Sequence, residues 1–211
     1  MPVVIDLHGG PSMPAFPFQF PLGDYLIDKG IAVISPNFRG SAGYGVSFEA
    51  SDNGANRLKQ VEDIKALLDW IKTQPDLDAK KVLLIGASHG GYMVMGALTQ
   101  YPGQFLGGMS LAGVSDFNLV KYEDNLHTRG LKHEFGDFSD PLLKSMIDSI
   151  SPITYADRIT EPLLLIHGTE DPRVVVENSD KMADAIESAG GNVQYIKLIG
   201  SGHGAQPNNP I

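Results

Sequence analysis

The stretch Lys81-Val82-Leu83-Leu84-Ile85-Gly86-Ala87-Ser88-His89-Gly90-Gly91-Tyr92 joins an unbroken apolar run to a turn of small residues and then to a segment of helical character. A short continuous apolar run bounded by turn residues reads as a strand buried on both faces. Gly86 and Gly90 bracket Ser88 in the pattern Gly-x-Ser-x-Gly and leave room for a sharp reversal. A serine hydroxyl is a weak nucleophile at neutral pH, and a tight strand-to-helix turn lifts it out of the fold toward a base. The stretch therefore reads as a nucleophile elbow with Ser88 at its tip. The pattern alone is short, but here it carries the strand and helix that its mechanics require.

A nucleophile of this kind needs a base and an acid that orients the base, and in the α/β-hydrolase layout they follow in the order acid, then histidine. The run Pro162-Leu163-Leu164-Leu165-Ile166-His167 leads into Gly168-Thr169-Glu170-Asp171-Pro172-Arg173-Val174, which puts carboxylates in a loop at a strand's carboxyl end. Asp171 is the candidate acid, with Glu170 the alternative. The run Val193–Ile199 leads into Gly200-Ser201-Gly202-His203-Gly204, a loop able to bring an imidazole to the serine, so His203 is the candidate base. A tetrahedral intermediate also needs amide donors for its oxyanion. His8-Gly9-Gly10-Pro11, straight after Val3-Val4-Ile5-Asp6-Leu7, offers side-chain-free backbone, and the N–H groups of Gly10 and His89 are the expected pair.

Apolar runs at 3–7, 31–35, 81–85, 108–112, 162–167 and 193–199 predict a parallel sheet. Val61, Ile64, Leu67, Leu68 and Ile71 recur at helical spacing and the segment ends near Pro75. Met182, Ala185, Ile186 and Ala189 do the same before Gly190-Gly191, a helix stop. Alternation of this kind predicts an α/β fold with a mostly parallel sheet covered on both faces, a three-layer sandwich. The stretch 115–158 breaks the rhythm. It reads either as a cap-like insertion over the site or as a helical excursion between two strands.

Taken together, the blocks resemble the catalytic domain of prolyl-oligopeptidase-type serine hydrolases, the group of acylaminoacyl and dipeptidyl peptidases. The likeness rests on His8-Gly9-Gly10-Pro11, Asn37-Phe38-Arg39-Gly40-Ser41-Ala42-Gly43-Tyr44-Gly45, Gly86 to Tyr92, Ser151-Pro152, His167 to Asp171 and Gly202-His203-Gly204, in that order. It implies an α/β-hydrolase domain in which Ser88, Asp171 and His203 form the triad. It makes Tyr44 a candidate support for oxyanion or substrate, with Gly9 and Tyr92 as further substrate contacts. Against that family, the chain has no β-propeller, starts almost inside a strand and stops eight residues after His203. The expectation is a single truncated catalytic domain over 1–211, without the first strands and the closing C-terminal helix.

Composition narrows the function classes. A length of 211 residues suits one α/β unit, and 42% hydrophobic residues is ordinary for a globular chain. A net charge of −9 argues against nucleic-acid binding. The chain has no cysteine, so disulfides and thiolate metal sites are out. No run reaches the roughly 20 apolar residues of a membrane helix and no signal peptide is visible, so the expectation is a cytoplasmic chain with no membrane partner, unless it is a piece of a longer protein. His127 and His133 beside Glu123, Asp124, Glu134 and Asp137 match no common ligand spacing and read as a surface loop, so no metal and no cofactor are expected. His8 and His167 read as turn braces. Arg39 and Arg173 either hold a substrate carboxylate or pair with nearby acids, and pairing is the expectation for Arg173. Phe16, Phe18, Phe20 and Tyr25 read as an apolar wall near the site, as core, or as surface bared by truncation. The chemistry implied is acyl transfer on a short peptide or small ester. The alternatives are a small carboxylesterase on a trimmed peptidase core and a non-catalytic, partner-dependent module, including a homo-oligomer formed through exposed strand edges.

Overall fold

The computed structural model describes residues 1–16, 22–120, 132, 134–136 and 140–204. Six strands, β1 (Val3–Leu7), β2 (Ala32–Ile34), β3 (Val82–Ala87), β4 (Gly107–Leu111), β5 (Leu163–Gly168) and β6 (Val193–Leu198), pair in the order β2-β1-β3-β4-β5-β6. Every pairing is parallel. The apolar runs end within two residues of the observed strands, as expected where boundaries fray.

The α-helices lying wholly within the described residues are α1 (Gly23–Asp28), α2 (Val46–Glu49), α3 (Leu58–Ile71), α4 (His89–Gln100), α5 (Lys144–Ile150) and α6 (Glu177–Ser188). On α3 the buried positions are Gln60, Val61, Ile64, Leu68 and Ile71; of the expected apolar stripe Leu67 is only half-buried, and one polar residue, Gln60, joins it. Helix α6 buries Met182, Ala183 and Ile186, whereas Ala189 is exposed at its C-cap. There Gly190 takes φ +77° and donates to Glu187 O, while Gly191 donates to Ile186 O, both at 2.9 Å. That pair of bonds is a Schellman stop, and it explains the double glycine.

Alternate strand residues face the same side of the sheet. Val3, Ile5, Leu7, Val82, Leu84, Leu163 and Leu165 join the buried residues of α3, α4 and α6 in one apolar core. On the other face, Leu83, Met109, Leu111, Leu164 and Ile166 are half-buried. Ala15 and Phe16 stand over that face, beside a cavity of about 230 Å³ against Asp6, Ile85 and Met109. The α/β-hydrolase sheet is as expected, and among the described residues the long helices α3, α4 and α6 all pack on one side of it. Tyr25 and Phe16 are 60% and 47% exposed, which makes them surface, while Phe18 and Phe20 lie outside the described residues.

The strand order places the site. The chain leaves β1 for the edge strand β2 and returns to β3 on β1's other flank. Loops leaving the carboxyl ends of β1 and β3 therefore diverge, and that crevice is where ligands bind in open parallel sheets. Leu7 and Gly86 are in register there, at the doorsteps of the His8–Pro11 loop and of the elbow.

Candidate active site

Ser88 is the one residue between β3 and α4, and its backbone is strained at φ +56°, ψ −119°. Its N–H donates to Leu111 O at 2.8 Å and its carbonyl accepts Tyr92 N–H at 3.1 Å, which pins the turn to β4 and to the first turn of α4. Gly90 lets α4 start flush against β1, since a Cβ there would overlap the Leu7 carbonyl oxygen. The elbow thus meets the end of β1 with no side chain between them.

The loop after β1 is held by His8. Its ring stacks on Phe38 at 4.2 Å and 10°, and Nδ1 lies 2.8 Å from Gly9 O. A carbonyl only accepts, so Nδ1 donates to it, and Nε2 meets Ser41 Oγ at 2.9 Å, a hydroxyl that itself donates to Phe38 O at 2.7 Å. Burial pushes the His8 imidazole below its usual value. In a trans peptide the C=O and the following N–H point opposite ways. Drawing the Gly9 carbonyl back toward His8 therefore turns the Gly10 N–H outward.

Gly9, Gly10, Ser88, His89, Arg173 and His203 line one cavity of about 570 Å³. His203 enters it from the loop after β6 and donates from Nδ1 to Asp171 Oδ2 at 2.7 Å, so Nε2 is on the side of the ring away from Asp171. Asp171 follows β5, and its Oδ1 accepts the amides of Arg173 and Val174 at 2.9 and 3.0 Å. His167 braces the same loop: Nε2–H donates to Val174 O at 2.8 Å and lies 3.3 Å from Asp171 Oδ2, while Nδ1 accepts from Ser179 at 2.7 Å. Burial works to raise the Asp171 carboxyl, but hydrogen bonds from His167, His203 and the two amides outweigh it and hold it well below the usual carboxylate range. It is Asp171, not the exposed Glu170, that meets His203.

Other residues fall elsewhere. Tyr44 is 60% exposed, accepts from Asn37 Nδ2 at 2.9 Å and does not line the cavity. Tyr92 is fully buried beneath it, and burial pushes its phenol up. Arg39 is the residue that pairs with an acid, through Nε and Nη2 to Asp63 at 2.9 and 2.5 Å. Against expectation, Arg173 makes no ion pair with an acid among the described residues; it is exposed at the cavity rim. His127, His133, Glu123, Asp124 and Asp137 lie outside the described residues. From 115–158, the wall of the cavity receives Phe117, Val120, Glu134 and Phe135, none of which periodicity could place. Arg57, just before α3, and Gln60, on the buried stripe of α3, also escape a motif search, though both are polar residues in buried positions, and that mismatch is itself a signal.

A six-stranded parallel sheet, a strained serine between β3 and α4, and an Asp–His pair in the loops after β5 and β6 together define the α/β-hydrolase class. Within that class the chain belongs to the prolyl oligopeptidase family, which residues 19–211 match. It is 32% identical to dipeptidyl aminopeptidase BIII of Pseudoxanthomonas mexicana over 99% of this chain and 31% of that protein. Among solved structures, it superposes on Pyrococcus horikoshii acylaminoacyl peptidase with TM-score 0.83 at 28% identity, covering 96% of this chain and 33% of the other. A Mycobacterium tuberculosis puromycin-hydrolyzing peptidase gives TM-score 0.85 at 27% identity, over 96% and 31%. The chain thus spans about a third of the length of the relatives it matches. Among the described residues no helix is long and apolar enough to cross a membrane.

Proposed function

We propose that the chain carries the catalytic site of a serine peptidase that cleaves acyl bonds of short peptides through a Ser88–His203–Asp171 triad. One observation carries the reading: the 2.7 Å bond from His203 Nδ1 to Asp171, made in a loop that delivers His203 to the cavity of Ser88. His203 Nε2 takes the proton from Ser88 Oγ as that oxygen attacks the substrate carbonyl carbon, and the C=O electron pair moves onto oxygen. The oxyanion accepts hydrogen bonds from Gly10 N–H and His89 N–H; His89 opens α4, so its amide has no intrahelical acceptor. Collapse of the intermediate expels the amine, which takes the proton from His203 and leaves an acyl-Ser88. Water, deprotonated by the same imidazole, then releases the acid and restores the serine. Asp171 stays ionised throughout and stabilises the imidazolium.

Arg173, exposed at the rim, is placed to hold a carbonyl or carboxylate of the substrate. The same machinery cleaves esters, whose leaving group needs less help, so a small carboxylesterase is the second reading. Two assays separate them: p-nitrophenol release from short acyl esters and cleavage of chromogenic peptide amides, each with the wild type and Ser88→Ala. Peptide turnover that Ser88→Ala lowers by three orders of magnitude or more supports the peptidase. Ester turnover alone gives the esterase. Activity that survives Ser88→Ala overturns the triad.

A further inference from the structure

A chain of buried polar groups behind the elbow takes no part in the steps above. Arg57, fully buried just before α3, donates through Nη1 to Asp52 and through Nη2 to Glu134 at 3.0 Å. Asp52 Oδ2 also accepts Gln60 Nε2 at 2.5 Å, and the same nitrogen lies 2.9 Å from Arg39 O. A carboxylate paired with arginine and a backbone carbonyl are both acceptors, so the Gln60 side chain has one orientation, with its nitrogen toward them and Oε1 toward α4. Oε1 meets His89 Nε2 at 2.7 Å, and that nitrogen must therefore carry the proton. Gln60 is fully buried and His89 is 5% exposed, so water does not compete for this bond. Burial, with Arg57 and His8 nearby, pushes the His89 imidazole well below its usual value, in keeping with a neutral ring.

We propose that Gln60 is a positioning residue for the second half of the oxyanion hole: by holding the His89 ring it fixes the plane of the Ser88–His89 peptide and aims the His89 N–H. A backbone held at φ +56° persists only where its surroundings over-determine it. The His89 ring, pinned at Nε2 by Gln60 and packed 5.2 Å from the Tyr92 ring, is such a restraint one residue away. The proposal rests on the serine-hydrolase reading.

The test compares wild type with Gln60→Met, which keeps the unbranched shape and removes both hydrogen-bonding functions. The expected result is a kcat for ester hydrolysis lower by roughly ten- to a hundredfold with KM changed less than about twofold, a part of the loss that follows removal of a whole oxyanion donor. Labelling of Ser88 by a fluorophosphonate slows in parallel, and the Nε2–H signal of His89 in a long-range ¹H–¹⁵N spectrum is lost. A folded Gln60→Met with wild-type kcat, or one that changes KM alone, overturns the proposal even if its melting temperature drops. Where Gln60→Met does not fold, His89→Phe keeps the ring and removes the donor; the same kcat loss is expected and its absence is equally decisive. A wild-type chain inert to ester and probe overturns the hydrolase reading and this proposal with it, whereas equal reaction of wild type and variant overturns this proposal alone.

Discussion

Replacing His8 by alanine removes no group that reaches the substrate, yet it releases the Gly9 carbonyl that the ring holds at 2.8 Å. The Gly9–Gly10 peptide is then free to rotate, and the Gly10 N–H loses its aim. The expected outcome for His8→Ala is a fall in kcat/KM of roughly 10² to 10³, the scale seen when one oxyanion donor is lost, with the fold intact by circular dichroism. Steady-state kinetics on an ester checks it, and a loss under tenfold would mean that the Gly10 amide keeps its aim without the ring. His8 and His167 share a logic that their sequence neighbourhood foretells: a histidine at a strand end, before glycine, braces the loop that follows. What foretelling cannot supply is the object of the bracing. His8 acts on the Gly10 amide, and His167 acts on the turn that presents Asp171.

At the scale of elements, the residues proposed as the triad could be picked out because each stands in a loop just past an apolar run, and a parallel sheet sends all such loops to one edge. Ser88 follows β3, Asp171 follows β5 and His203 follows β6. The Gly9–Gly10 loop follows β1, whose neighbour β3 brings it to the elbow. The remainder of the site depends on contacts that no periodicity encodes. Glu134 and Phe135 reach the cavity wall from a stretch with no strand among its described residues, and Tyr44, although it sits in a glycine-rich block that looks functional, turns to Asn37 and Phe48 instead. The junction of β1 with α4 can be tested directly. In Gly90→Ala the new methyl group meets Leu7 O and has only backbone to displace, so α4 must retreat from β1. Overpacking against backbone predicts a loss of at least about 2 kcal/mol in urea unfolding, with activity reduced beyond the stability loss because Ser88 moves relative to Gly10. An unfolding midpoint equal to wild type would show that the junction is loose enough to absorb a methyl group.

For the molecule as a whole, the buried histidines tie stability to pH. His8 and His89 both have imidazoles pushed below the usual value of 6.5 by burial, so both bind a proton less readily in the folded chain. The unfolded chain has no such constraint and binds a proton at each as pH falls through about 6.5. The unfolded state then holds more protons than the folded one, so stability declines on acidification, by at most about 1.4 kcal/mol per pH unit for each histidine. Asp171 acts in a different window: its folded carboxyl is held below the usual range, so its contribution is complete above the unfolded value near 4 and is lost only as pH falls below that. Between pH 7.5 and 5 His8 and His89 should therefore lower the midpoint while Asp171 stays silent, and Asp6 and Asp52, whose carboxyls burial raises, act in the opposite sense only toward the acid end. Urea unfolding across that interval is expected to give a midpoint that falls steadily below pH 6.5. A flat or rising midpoint would mean that His8 or His89 takes a proton without unfolding, which for His89 requires the Gln60 amide to tolerate a charged ring beside Arg57, and for His8 requires Ser41 to accept from Nε2 while Gly9 O keeps its bond.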